Sequence, residues 1–111
     1  MTVLAGHLEV PIVITRGTWQ GHVVERHPEM GPYLELTIAA LEAPDVIGRD
    51  SRYPERVYFW KKWPDVRDFP AAWLEVMVVL PTDGRFGRLL SAFPVRSVAG
   101  KEIIWTAAGQ D

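Results

Sequence analysis

The sequence predicts an α+β fold: two N-terminal helices packed on one face of an antiparallel β-sheet of four strands, or five if the C-terminal segment adds one. Two observations predict it. Apolar residues at helical spacing come before Pro44, whereas β-rich runs separated by turn residues come after it. Because helices precede strands rather than alternating with them, the pattern favours an antiparallel sheet with the helices on one side. The other face of such a sheet is then open to water or ligand.

Two helices are predicted in the N-terminal part of the chain. Thr18 is the expected N-cap of the first, which runs over residues 19–27 and ends at Pro28. The second begins at Gly31 and Pro32, because proline suits the first helical position, and ends at Pro44. Its apolar side is formed by residues at i, i+4 and i+7: Leu34, Ile38 and Leu41.

Three runs rich in β-branched and aromatic residues predict the main strands: 56–63, 73–80 and 88–95. Turn residues at 64–65 and 81–84 separate them. Shorter runs add candidate strands: an edge strand or lead-in at 10–15, and strands at 45–47 and 102–106.

Length and composition are those of one folded domain. The chain has 111 residues, of which 48% are hydrophobic and 23% charged. We expect a single domain over residues 1–111, with a core at about 10–95 and with 96–111 as a C-terminal extension or extra strand. The absence of cysteine excludes disulfides, iron–sulfur clusters and thiolate zinc sites. No dinucleotide or phosphate-loop motif is present, so we expect no cofactor.

The charge balance argues against two classes of partner. A net charge of −2 and a pI near 5.9 lack the basic excess typical of non-specific DNA binding or anionic membrane binding. The N-terminus has neither the basic start nor the apolar run of a signal peptide, and no apolar run is long enough to cross a bilayer. We therefore expect a cytoplasmic protein that does not engage membranes.

Three motifs carry a resemblance to a known family: His-Val-Val-Glu-Arg-His-Pro-Glu at 22–29, Pro-Asp at 44–45 and Leu-Ser-Ala-Phe at 90–93. Over about residues 10–95 the chain resembles the phage-type nuclease-like domains of the Barnase–EndoU–colicin–RelE (BECR) superfamily. The resemblance implies two helices against a four-stranded antiparallel sheet, with an RNA-cleaving or RNA-binding site on the open face. The chain departs from the family at Val79 and Leu80, where relatives often carry an aromatic and a basic residue, and at Ser91, where they carry threonine.

The first helix holds the main candidates for proton transfer. At 100° per residue, His22 and Arg26 lie about 40° apart on one flank, while His27 falls on the apolar side with Val23. Histidine can accept or donate a proton near neutral pH, and arginine offers a planar set of donors to phosphate oxygens. The alternative is that His27 is a half-buried core histidine and Arg26 a surface partner of a neighbouring glutamate.

Alternation along residues 56–63 separates two sets of side chains. One set is predicted to face the open side: Arg56, Tyr58, Trp60 and Lys62. Aromatic rings interleaved with cations can stack bases and neutralise phosphate. The alternative is an edge strand whose aromatic residues belong to the core and whose lysines oppose aggregation.

Two further side chains are candidates on the later strands. Glu75 points away from the predicted core and is either a second proton carrier or a solvated glutamate. Ser91 shares a face with Leu89 and Phe93, and the resemblance implies that its hydroxyl contacts phosphate or substrate. A local hydrogen bond within the sheet is the competing account of Ser91.

These observations lead to a first hypothesis of a metal-independent endoribonuclease-like domain, a small toxin or phage-derived RNase that acts by transesterification from the RNA 2′-OH. Its expected catalytic residues are His22, Arg26, His27, Lys62 and Ser91, and its expected RNA-binding residues are Arg56, Tyr58 and Trp60. No metal site is expected, because His22 and His27 lack the i, i+4 spacing of helical zinc ligands. The expected partners are RNA and an antitoxin or other protein inhibitor. The second hypothesis is a catalytically inactive relative that binds RNA or protein.

Overall fold

The computed structural model describes residues 1–63, 73–81, 85–98 and 100–107, and these form an α+β fold with helices on one face of a mixed β-sheet. The described residues contribute seven strands to this sheet, in the order β1-β2-β6-β5-β4-β3-β7. The strands are β1 (Thr2–Leu4), β2 (Pro11–Val13), β3 (Val46–Arg49), β4 (Arg56–Lys62), β5 (Trp73–Val79), β6 (Gly87–Val95) and β7 (Glu102–Thr106). Neighbouring strands are antiparallel except β2 and β6, which are parallel.

The sheet therefore differs from the predicted one in size and in strand direction. Strand β1 was not predicted, because a three-residue strand is too short to show the alternation that identifies one. Strand β2 aligns in parallel with the start of β6, more than seventy residues later in the chain, and no local pattern reports such a pairing. The predicted segments 45–47 and 102–106 both become strands and pair with each other. The predicted turn at 64–65 and residues 82–84 of the predicted turn at 81–84 lie outside the described residues.

The first helical segment begins one turn earlier than predicted. The N-cap is Thr15, whose hydroxyl oxygen accepts a hydrogen bond from the Thr18 backbone N–H at 3.0 Å. Helix α1 (Arg16–Thr18) continues directly into a π-helical segment, Trp19–Val24. Thr18 is therefore inside the helical run and is not its cap.

The second helix is confirmed, with a different first turn. A 3₁₀ turn over Pro28–Tyr33 leads into α2 (Leu34–Glu42), and Ala43 caps the C-terminus. Thr37, Ala40 and Leu41 are buried on α2, and the Thr37 hydroxyl donates to the Tyr33 carbonyl at 2.9 Å. This bond satisfies the one buried polar side chain that α2 places in the core.

The core lies between α2 and the facing side of the sheet. The predicted alternation along β4 is confirmed, since Val57 and Phe59 belong to the core cluster together with Leu74 and Val76 of β5. The opposite side of the sheet, which we call the helix-free face, carries the alternate residues of the same strands. Within the described part of the chain, no helix combines the length and apolar character needed to span a membrane.

Candidate active site

Strand register arranges the helix-free face in rows of directly opposed residues. Residues opposite one another in antiparallel strands point to the same side of the sheet. Across β4, β5 and β6, three rows follow one another: Arg56, Val79 and Arg88; Tyr58, Met77 and Ser91; Trp60, Glu75 and Phe93. A bulge in β6 at Leu90 interrupts the alternation of that strand, so Leu89 faces the core opposite Val78 whereas Ser91 and Phe93 point to the helix-free face. The expected shared face of Ser91 and Leu89 is therefore wrong.

Glu75 is held in the third row by a buried tryptophan. The Trp60 Nε1–H donates to Glu75 Oε1 at 3.0 Å, and Trp60 itself is fully buried. Burial raises the pKa of Glu75, while the hydrogen bond from Trp60 and the charge of Lys101 oppose the rise. Glu75 is therefore a half-buried carboxyl group whose proton affinity is raised, and not a freely solvated glutamate.

His27 reaches the same row from the end of the first helical segment. Strand β2 pairs only with the first residues of β6, so the π-helical segment packs against the rest of β6. Pro28 disfavours helical backbone at the residue before it, and His27 leaves the helix with φ −132° and ψ 75°. Its ring then stacks on Phe93 with centroids 4.8 Å apart and an interplanar angle of 21°. Because Phe93 lies opposite Glu75, the imidazole extends the row that holds the carboxyl group.

The immediate surroundings of His27 include one carboxylate. Its Nδ1 lies 3.6 Å from Glu29 Oε1, a separation that becomes an ion pair when the imidazole is protonated. The side chain is half-buried, as the apolar position on the helix predicted, in line with the buried Trp19 and Val23. The histidine is thus oriented by stacking on one side and by a carboxylate on the other.

The second row is supported by a polar cluster on β3 and the loop after it. The Tyr58 hydroxyl donates to Asp50 Oδ2 at 3.2 Å, and Lys101 Nζ lies 4.9 Å from the centre of the Tyr58 ring. Burial, with the hydrogen bond to Asp50, raises the pKa of Tyr58 to about 12. Tyr58 therefore keeps its proton at physiological pH and acts only as a hydrogen-bond donor to Asp50.

Asp50 is an ionised anchor for the loop that follows β3. Its Oδ1 accepts hydrogen bonds from the backbone N–H groups of Arg52 at 2.8 Å and Tyr53 at 3.1 Å. These two bonds are the main cause of a lowered pKa for Asp50. The loop conformation and the Tyr58 hydroxyl are thus tied to one carboxylate.

Two predicted RNA-binding residues lie on the expected face but are not exposed there. Tyr58 is 4% exposed and Trp60 0%, and their rings stack on each other at 5.7 Å and 12°. The edge of the Trp60 ring lies against Gly48, where a Cβ atom would be 2.6 Å from two ring carbons. The expectation of an open aromatic surface at these two residues is therefore wrong, because neighbouring groups already cover the rings that bases would need. Arg56 is half-buried, with its guanidinium 4.5 Å from the Tyr53 ring centre.

The other predicted site residues divide into two groups. Ser91 lies on the helix-free face in the row of Tyr58, and Lys62 lies on the same face one row beyond Trp60. His22 and Arg26 are exposed on the π-helical segment and the turn after it, while the side of that segment facing the protein buries Trp19 and Val23. The fold therefore gathers His27, Ser91 and Lys62 at one face and directs His22 and Arg26 to solvent.

Two residues at this face, Asp50 and Lys101, were not predicted from the sequence to be functional. Asp50 has the local signature of an Asx turn, which predicts a loop anchor but no contact with Tyr58. Lys101 lies in the C-terminal segment and reaches the face because β7 pairs with β3, with Glu102 opposite Arg49. No local pattern connects Lys101 with Tyr58 or Glu75, which are far from it in the sequence.

The described residues contain no cluster of three or more histidine, aspartate or glutamate side chains arranged to hold a metal ion. Comparison with protein-family models, curated proteins and solved structures finds no match to this chain. The chemistry and geometry of the helix-free face are therefore the structural observations that bear on function.

Proposed function

We propose that this protein is a metal-independent endoribonuclease-like domain whose reaction centre is the row of Glu75, Phe93 and His27. One observation carries the proposal: a half-buried imidazole stacks on the residue directly opposite a carboxyl group whose pKa is raised. Acid–base catalysis needs two proton-carrying groups on one surface, with proton affinities suited to near-neutral pH. The resemblance to BECR nuclease-like domains favours RNA as the substrate and a toxin or phage-derived context.

The two groups suit the two proton transfers of RNA transesterification. A base removes the proton of the 2′-OH, the 2′-oxygen bonds to the adjacent phosphorus, and the bond from phosphorus to the 5′-oxygen breaks. An acid gives its proton to that leaving oxygen, so the products carry a 2′,3′-cyclic phosphate and a 5′-OH. In this proposal Glu75, whose proton affinity is increased by burial, is the base, and His27 is the acid.

Cationic and polar side chains on the same face suit the charge that develops on phosphate. The positive charge of Lys101 acts to lower the pKa of both Asp50 and Glu75. Its electrostatic effect therefore extends over the second row, which holds Tyr58, and the third row, which holds Glu75. Ser91 belongs to the second row. It therefore lies between the first row, which holds Arg56 and Arg88, and the third row, which holds Phe93. In this proposal Lys101 and Lys62 stabilise the phosphorane, and the Ser91 hydroxyl contacts a phosphate oxygen. His22 and Arg26 have no direct part, because both are exposed on the helical segment away from the row.

The test is cleavage of mixed tRNA and rRNA by the purified protein in EDTA, with analysis of product ends. We expect cyclic phosphate ends in the parent and a loss of about 10²-fold or more in His27→Ala and in Glu75→Gln. His22→Ala is the matched control, since it removes a histidine of the same segment that faces solvent, and it should retain most activity. Circular dichroism of each variant separates lost chemistry from lost structure.

A second candidate is a catalytically inactive module that binds RNA or protein, and the departure from the family pattern at Val79 and Leu80 favours it. A folded parent protein that leaves every RNA intact would select this candidate. Capture of an inhibitor-like protein partner would then identify the ligand class. RNA cleavage that persists in both His27→Ala and Glu75→Gln would contradict the proposed centre.

A further inference from the structure

Two arginines flank one residue at the end of the helix-free face distant from Glu75. Arg56 and Arg88 both lie opposite Val79, on either side of it, and therefore point to the same side of the sheet. With neighbouring strands about 4.8 Å apart, their Cα atoms are roughly 10 Å from each other. Within the described residues, neither arginine forms an ion pair with a carboxylate. The pair is thus a local concentration of positive charge in a protein whose net charge is −2.

An exposed aromatic ring lies beside this pair. Tyr53 is 46% exposed, in contrast to the buried Tyr58, and one side of its ring is covered by the Arg56 guanidinium at 4.5 Å. Its backbone is fixed by Asp50, which accepts from the Tyr53 N–H, and by a hydrogen bond from the Arg56 N–H to the Tyr53 carbonyl at 2.8 Å. The loop therefore presents the tyrosine in a set position before any ligand arrives, which lowers the entropic cost of binding.

We propose that Tyr53, Arg56 and Arg88 form a subsite for a nucleotide of single-stranded RNA next to the cleaved bond. A base stacks on the exposed part of Tyr53, and Arg56 and Arg88 bind the phosphates on either side. The choice of RNA rests on the proposed function, whereas the stacking ring and the paired arginines are features of this face in their own right.

The spacing along the sheet supports a subsite rather than a second centre. Val79 and Glu75 are four residues apart on β5, which corresponds to roughly 13 Å. One extended strand can therefore contact the arginines and still reach the acid–base row. A duplex keeps its bases stacked on one another, so the Tyr53 ring selects for unpaired nucleotides.

The test measures binding separately from cleavage. A short fluorescein-labelled oligoribonucleotide with 2′-O-methyl sugars has no free 2′-OH to attack phosphorus, and its anisotropy reports affinity. We expect Tyr53→Ala to weaken binding about tenfold through lost stacking, while Tyr53→Phe keeps the parent affinity. Arg88→Gln should reduce the slope of log affinity against log salt by about 0.7, the value for one phosphate contact to a single strand. Arg16→Gln removes an exposed arginine from α1 and is the matched control, expected to bind like the parent.

Each outcome separates the subsite from the proposed function. Parent-like affinity and salt dependence in both Tyr53→Ala and Arg88→Gln overturn the subsite, even if the parent protein cleaves RNA. Weakened binding in these variants supports the subsite, even if no RNA is cleaved and the proposed function fails. Equal affinity for a duplex of the same sequence contradicts selection for unpaired bases.

Discussion

At the scale of single residues, the environment of Glu75 decides what its carboxyl group can do. Trp60 binds one carboxylate oxygen, and burial makes the ionised form less favourable than in water. An exposed carboxyl group on the same sheet would have no comparable preference for its protonated form. The protonation of Glu75 is therefore coupled to the stability of the fold.

The first prediction concerns the pH dependence of stability in Glu75→Gln. Because the pKa of Glu75 in the folded protein is above its ordinary value of 4.5, the folded state binds the proton more tightly than the unfolded chain. Tighter proton binding by Glu75 stabilises the fold fully at pH values below 4.5. This stabilisation is lost as the pH rises through the raised pKa of Glu75 in the folded protein. Glutamine stays neutral and still offers an oxygen to Trp60, so the variant should gain stability relative to the parent as the pH rises from acid to neutral.

Urea denaturation of both proteins across this pH range measures the difference. Glu55→Gln provides the control, because it makes the same change of side chain at an exposed residue that takes no part in the Trp60–Glu75 hydrogen bond. A stability difference between Glu75→Gln and the parent that is flat over the same range would show that Glu75 is solvated.

At the scale of elements, one tryptophan links three strands of the sheet. Trp60 of β4 binds Glu75 of β5 on one side, and its ring lies over Gly48 of β3 on the other. This arrangement requires a residue without a side chain at position 48, since a Cβ there would be 2.6 Å from two ring carbons and 3.0 Å from the Glu102 carbonyl oxygen. The position of the Trp60 ring, and with it the Glu75 hydrogen bond, depends on this glycine.

The second prediction is therefore that Gly48→Ala destabilises the protein by about 1–3 kcal/mol, the usual cost of overpacking a buried site. Gly21→Ala is the matched control: among the described residues, a Cβ atom there would meet no atom within 4 Å apart from its chain neighbours and the backbone of its own helix. That substitution should be neutral or stabilising by about 0.5–1 kcal/mol, because alanine restricts the unfolded chain. Thermal or urea unfolding measures both, and equal effects of the two substitutions would mean that Trp60 moves away at little cost.

At the scale of the whole molecule, the loop between the first two strands packs beside the last strand. The Gly6 N–H donates to the Leu41 carbonyl at 2.8 Å near the end of α2. From there the His7 ring stacks on Trp105 of β7, with centroids 4.8 Å apart and an interplanar angle of 21°. His7 adopts a φ of 65°, in the left-handed region that non-glycine residues seldom occupy. The opposite edges of the sheet, β1 and β7, are thereby connected across α2.

The third prediction is a stabilising coupling between His7 and Trp105. In a double-mutant cycle with His7→Ala and Trp105→Leu, we expect a coupling of about 0.5–1 kcal/mol in the free energy of unfolding, as for other stacked aromatic pairs. The same cycle with His22→Ala in place of His7→Ala should give no coupling, because His22 is exposed on the π-helical segment. Additive effects of His7→Ala and Trp105→Leu would remove the link between the two edges.

The amino-acid sequence by itself determined the class of the fold and most of its elements. The course of α2, the three long strands and the alternation along β4 follow from local spacing, since a helix or strand face is set by residues a few positions apart. The position of His27 on the inner side of its segment follows from the same rule. The choice of His27 as a site candidate rested on this position together with the resemblance carried by residues 22–29.

Tertiary structure alone decided which of these residues meet. The parallel pairing of β2 with β6 leaves space for the π-helical segment beside β6, and so puts His27 on Phe93. The pairing of β7 with β3 brings Lys101 over Tyr58, and Gly48 leaves room for the buried Trp60 ring. These contacts join residues far apart in the chain, and burial depends on everything packed around a side chain. For that reason local periodicity assigned the correct face to Tyr58 and Trp60 while predicting the wrong exposure.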